Sequence, residues 1–145
     1  MMKRFFFVWL AAAAVLVAGC KKPEVIPDPG QKLQQEIQGV WELTGVSTKA
    51  TVGSVQVNVY LDFDAQGSFT LYQKLGEGRY SRFTGSYKLD ENTKLSGTYS
   101  TKEAWGPYTV SLEGSTLRLT TESGRETDTY TKVQGVPDSV LGNLY

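Results

Sequence analysis

From Gly39 onward, apolar and polar side chains alternate with a period of two, the pattern of strands that set one face against a core and the other in water. The longest run places Val55, Val57, Val59, Leu61 and Phe63 on one side and Gln56, Asn58, Tyr60 and Asp62 on the other. The alternation returns at Phe69 and Leu71, at Phe83, Gly85, Tyr87 and Leu89, and at Leu95, Gly97 and Tyr99. It returns again at Tyr108, Val110 and Leu112, and at Leu117 and Leu119. Turn signals separate these runs: DAQG at 64–67, GEG at 76–78, DENT at 90–93, WGP at 105–107, EGS at 113–115 and ESG at 122–124. With the STKATVG bend at 47–53 they make seven short connections, which join eight strands and force neighbours to pair antiparallel. The last strand, RETDTYTKV at 125–133, carries Tyr130 and Val133 on opposite faces, so its register stays open.

A meander of eight strands exposes two edges, and closing it on itself removes both. The expected fold is therefore all-β, an eight-stranded antiparallel up-and-down barrel whose interior is filled by side chains or holds one small ligand. Gly85 and Gly97, on the inward phase, permit the sharp bending that closure needs. QKLQQEIQ at 31–38 can form two helical turns with Leu33 and Ile37 on one face, a stripe suited to a lid. Pro137 in VPDSVLGNLY is placed as the first residue of a C-terminal helical turn.

Ahead of the barrel, MMKRFFFVWLAAAAVLVAGC has Lys3 and Arg4, then an apolar stretch to Ala18, then a small residue before Cys20, the layout of a secretory signal peptide. The stretch is shorter than the roughly 20 apolar residues of a membrane span. Leu16 to Cys20 resembles a bacterial lipobox, which implies cleavage before Cys20 and acylation of its thiol. Several acyl chains at about 0.8 kcal/mol per buried methylene would make the anchor permanent. The segment at 20–30 holds Pro23, Pro27 and Pro29, a composition for an extended tether. Three regions follow: signal peptide 1–19, lipidated cysteine and tether 20–30, barrel domain 31–145. Lys21, a non-acidic residue after the cysteine, resembles the sorting pattern for the outer membrane of the bacterial cell envelope.

Composition narrows the chemistry. The 145 residues hold 15 basic and 15 acidic side chains, one cysteine and no histidine. Loss of the leader removes Lys3 and Arg4 and leaves the mature chain at −2. No usual metal-ligand set, serine–histidine or cysteine–histidine pair, or internal disulfide can be assembled, and no cofactor is implied. No basic stripe suggests nucleic acid. Asp62, Asp64 and Glu77 are scattered on outward phases or in turns, and nothing pairs them as acid and base. Catalysis is not expected.

QGVWELTGV at 38–46 resembles the Gly-x-Trp opening strand of lipocalins, here Gly39-Val40-Trp41, preceded by a short helix. With the hairpin at Tyr108–Thr121 and the lipobox, the chain from 31 to 140 is similar to bacterial lipocalin-like lipoproteins. That resemblance implies a barrel with a small apolar molecule as cargo. Lipocalins commonly lay an arginine of the last strand across the tryptophan ring; the corresponding stretch here, DTYTKV, supplies Lys132.

Gly39 and Trp41 are assigned to the base of the barrel, where a tryptophan buries a large area. The candidate ligand contacts are Val57, Val59, Leu61, Phe69 and Leu71 on the first half of the sheet, with Phe83, Tyr87, Tyr99, Tyr108 and Leu112 on the second. Each serves equally well as core packing. Tyr87, Tyr99 and Tyr108 form an inward trio whose buried hydroxyls want partners, from a ligand or trapped water. Trp105, in the WGP turn, is a candidate for the barrel mouth or a protein contact. The favoured expectation is an envelope-anchored binding protein for a small apolar molecule. The alternative is a filled barrel whose loops contact or inhibit another protein.

Overall fold

A computed structural model describes residues 26–46 and 55–145. Cys20, the signal peptide, the first part of the tether and the bend at 47–53 lie outside the described residues. The chain runs α1 (Pro29–Glu36), β1 (Gly39–Val46), β2 (Val57–Phe63), β3 (Ser68–Leu75), β4 (Ser81–Leu89), β5 (Lys94–Tyr99), β6 (Ala104–Glu113), β7 (Thr116–Thr121), β8 (Thr127–Val133) and α2 (Asp138–Leu141). Each strand pairs antiparallel with the next, and β1 pairs with β8 to close an eight-stranded barrel. The fold class and the order of strands are those the alternation predicts.

The helix starts two residues earlier than expected, because Asp28 caps it and Pro29 occupies its first turn. The Asp28 carboxylate accepts from the Gly30 amide at 3.2 Å, satisfying one of the donors a helix start leaves free. Pro29 and Gly30 thus belong to the helix and not to the tether. Helix α1 lies against β4 at the end of the barrel where β1 begins. Ile37, just past it, is fully buried in the core, and Leu33 packs on the same cluster. At the other terminus Pro137 caps α2 from outside rather than starting it.

Two register details depart from the period-two reading. Trp105-Gly106-Pro107 is no turn: β5 and β6 are joined at Ser100–Glu103, and β6 already runs from Ala104. Leu95 pairs with Tyr108 while Gly97 pairs with Trp105, so two residues of β6 stand opposite Ser96. This is a bulge, which tolerates Pro107 inside a strand and Gly106 at φ +82°. The extra residue lets side chains three apart, Trp105 and Tyr108, face the same interior. Trp105 is consequently a core residue, 6% exposed, and not the surface aromatic that its Gly-Pro neighbours suggested.

The second departure concerns the outer wall. Tyr60 and Tyr72, paired across β2 and β3 on the outward phase, do not simply face water. Tyr72, Tyr80 and Val140 form a small buried cluster with Tyr60, Val136 and Leu144 packed on it, so the C-terminal segment lies as a strap over this wall. Tyr80 and Leu144 are held by a parallel bridge.

Inside, Phe69 stacks on Trp105 with ring centroids 4.6 Å apart, and Phe63 meets Tyr87 edge-on at 4.9 Å. The inward glycines explain how this fits. A Cβ at Gly85 would strike the Phe69 ring at 2.7 Å as well as the Thr98 carbonyl, and one at Gly97 would come 3.3 Å from the same ring and 3.1 Å from Trp105. Both positions are left bare so that the two rings can occupy the middle of the barrel.

Candidate functional site

The two ends of the barrel are built differently. At the end carrying α1, Trp41 is completely buried and its indole Nε1 donates to the Ile37 carbonyl at 2.7 Å. Lys132 of β8 lays its ammonium 5.1 Å from the Trp41 ring centroid and donates to the Gln38 carbonyl at 2.7 Å. A lysine therefore takes the place across the tryptophan that lipocalins commonly give to arginine. Gly39, at φ +111°, lies under this side chain, where a Cβ would come within 3.2 Å of the lysine. Tyr87 sits at this end too: its hydroxyl donates to the Asp64 carbonyl at 2.8 Å, and burial, then the Asp64 charge, push its pKa up to about 12.

The middle is packed. Val59, Leu61, Phe69 and Leu71 are buried members of the core cluster, and Leu112 is half-buried against it. These five expected ligand contacts serve as the wall and filling of the barrel. Trp105 joins them.

At the opposite end the inward phase reaches solvent. Val57 is 40% exposed, Leu75 60% and Phe83 42%, although all three stand on strand faces that farther down point into the core. Beside them lies an open cleft of about 290 Å³ bounded by Gln73, Leu75, Phe83 and Tyr145, with Glu77 and Arg79 as its charged side chains. Tyr99 meets Phe83 at 6.1 Å and Phe69 at 5.5 Å, and Tyr108 meets Trp105 at 5.3 Å, so these two tyrosines form the floor above the packed rings.

Of the expected tyrosine trio, Tyr87 is inward and buried as its phase predicts, but its hydroxyl is satisfied by the backbone near the closed end rather than by a ligand or water. Tyr130 stands with Tyr99 and Tyr108 in its place. It pairs with Leu117, is 5% exposed, and is displaced to a higher pKa by burial, then by Asp128, Tyr108 and Tyr99. Burial, then Glu103, raises Tyr99; burial, then Tyr99, Asp128 and Glu126, raises Tyr108. Asp128 pairs with the buried Leu119 and so shares its inward face. Burial, then Glu126, moves the Asp128 carboxyl up from the ordinary range. Tyr130, Asp128 and Leu75 were missed in the sequence because the register of β8 was open and Leu75 fell beyond the alternating pair Phe69 and Leu71. The signal that would have found them is the phase of Tyr130, once Leu117 and Leu119 are placed inward.

Among the described residues no cluster of three or more histidine, cysteine, aspartate or glutamate side chains is arranged to hold a metal ion. No helix of the described residues is long and apolar enough to cross a membrane.

The sequence profile of the lipocalin-like domain matches residues 37–119. The fold is similar to the crystal structure of a DUF4847 family protein from Bacteroides vulgatus, at a TM-score of 0.50 and 12% identity, covering 70% of this chain and 99% of that one. A comparison with curated proteins returns no match.

Proposed function

This chain belongs to the lipocalin-like domain family, and we propose that it binds a small molecule with an apolar body at the open end of its barrel. One observation carries the reading: Val57, Leu75 and Phe83 are 40 to 60% exposed on the concave phase, at the end that α1 does not plug. Each of these side chains, about half exposed, forgoes roughly half of the 1.5–3 kcal/mol that full burial is worth, which a bound hydrocarbon surface would restore. The packed middle limits the ligand to the upper chamber, so the cargo is small or only partly enclosed. Titration with a hydrophobic fluorophore tests this. Wild type should enhance its emission and Phe83→Asp should weaken binding several-fold. Equal binding by the two proteins, or none by wild type, would overturn the mouth as the site.

The leader supports placement at the cell envelope, anchored to the outer membrane through acylated Cys20. Cys20→Ala should move the protein from the membrane fraction to the soluble one. Retention in the membrane would refute the anchor and leave the barrel reading intact.

The stacked Phe69 and Trp105 rings favour a second reading, in which the filled barrel presents its loops to another protein. Trp105 is buried and cannot report on such a surface. Phe83→Ala in a pull-down from envelope extract can: a partner captured by wild type and lost in the variant would support this reading, and no partner with either protein would count against it.

A further inference from the structure

Building on the mouth reading above, we infer that the upper chamber selects a ligand bearing a cationic nitrogen beside its apolar part, held by the carboxylate of Asp128 and the rings of Tyr99, Tyr108 and Tyr130. The placement follows from strand register. Asp128 stands opposite Leu119 and Tyr130 opposite Leu117, and both leucines are buried inward residues, so an acid and a phenol project from β8 into the barrel. On the neighbouring strands Tyr108 pairs with Thr121 and with Leu95, which brings it onto the same inner surface.

Three observations distinguish this group from an ordinary core. First, Tyr130 is 95% withdrawn from solvent, yet its hydroxyl makes no hydrogen bond to another described residue. No fully enclosed side-chain oxygen or nitrogen among the described residues lacks a partner, so this hydroxyl keeps a small contact with solvent. The hydroxyls of Tyr99 and Tyr108 likewise have no hydrogen-bond partner among the described residues. Second, the ionised groups acting on the cluster are all acidic: Asp128, Glu126 and Glu103. Third, the ion pairs among the described residues are Lys32–Glu36, Lys94–Glu122 and Arg118–Glu113, so Asp128 has no cation partner among the described residues.

An inward carboxylate without a counter-ion is costly to hold in a half-apolar chamber. A bound ammonium or substituted amine would supply that counter-ion, and aromatic faces attract the same charge through their quadrupoles. Its N–H groups, where present, could donate to the free phenol oxygens and to the carboxylate, while the apolar body rests on Phe83, Val57 and Leu75. An anionic head would be repelled by Asp128 and Glu126, and a neutral one would cover the carboxylate without pairing it.

Calorimetric titration of the full chain with octyltrimethylammonium, octanol and octyl sulfate tests the assignment, since the three probes share one tail. The cation should bind about tenfold more tightly than octanol, with octyl sulfate weakest. Asp128→Asn should bring cation and octanol to within about twofold, whereas Asp62→Asn, on the outer face of β2, should preserve the order. A cation bound no more tightly than octanol, or a preference that survives in Asp128→Asn, would overturn the assignment while leaving the mouth reading standing. Failure of all three probes would remove both. Should Asp128→Asn not fold, as judged by thermal melting, the wild type decides alone: the preference for the cation must shrink as salt is added, and a salt-independent preference would refute the charge pairing.

Discussion

The closed and open ends of the barrel use the same materials, inward aromatic rings with polar tips, to different effect. At the closed end the aromatic tips meet backbone carbonyls, Trp41 donating to Ile37 and Tyr87 to Asp64, and the Lys132 ammonium over the Trp41 ring donates to Gln38. At the open end Tyr99, Tyr108 and Tyr130 stack or pack by their rings while their hydroxyls meet no described residue. Size and inward phase therefore do not separate a structural aromatic from a binding one. The destination of the polar atom does. A tip satisfied within the chain fixes the fold, and one left free is available to something outside it.

The contrast can be broken at its strongest point first. Trp41→Ala should cost about 3–5 kcal/mol in urea unfolding, because it empties the plugged end and strands Lys132 over a void; a loss under about 1 kcal/mol would mean that the plug is dispensable. Gly85→Ala should follow at about 1–3 kcal/mol, since the new methyl must displace the Phe69 ring or the β5 backbone. Tyr87→Phe should lose about 0.5–1.5 kcal/mol by orphaning the Asp64 carbonyl. Its counterpart Tyr108→Phe should change stability by no more than about 0.5 kcal/mol. Equal losses from these two substitutions would erase the distinction between the ends.

The smallest effect concerns pH. Burial first and Glu126 second raise the Asp128 carboxyl in the folded chain above its unfolded value, so the native state holds that proton more tightly. The stabilising contribution is complete below the unfolded pKa and disappears as pH climbs through the folded one. Asp128→Asn should therefore flatten part of the decline in stability over that window and leave the variant slightly more stable at neutral pH. Urea midpoints measured across the acid range would show it, and parallel curves for the two proteins would contradict a desolvated Asp128.

The barrel itself was legible because strand alternation and turn residues are local signals. Val59, Leu61 and Phe63 alternate cleanly, and DAQG and DENT do mark the ends of β2 and β4. The helix and its Leu33–Ile37 stripe were legible for the same reason. What the residues did not disclose depends on pairing between strands. A bulge at Gly106-Pro107 looks like a turn until Leu95 and Gly97 are seen flanking it across the sheet. The inward direction of Asp128 is likewise set by Leu119, nine positions away. Tyr60 reads as an ordinary outward residue, since a tail that folds back over this wall leaves no periodic trace.

That folded-back tail has a practical consequence. Tyr80 clasps the backbone at both Asn143 and Tyr145, and Tyr145 helps bound the cleft beside Leu75 and Phe83. An affinity handle or reporter fused after the final residue would hang at the doorway where cargo enters, and could block it or occupy it. Fusions meant to leave the opening clear belong in the tether between Cys20 and the helix that seals the other end, where the leader and the proposed acylation site stay intact.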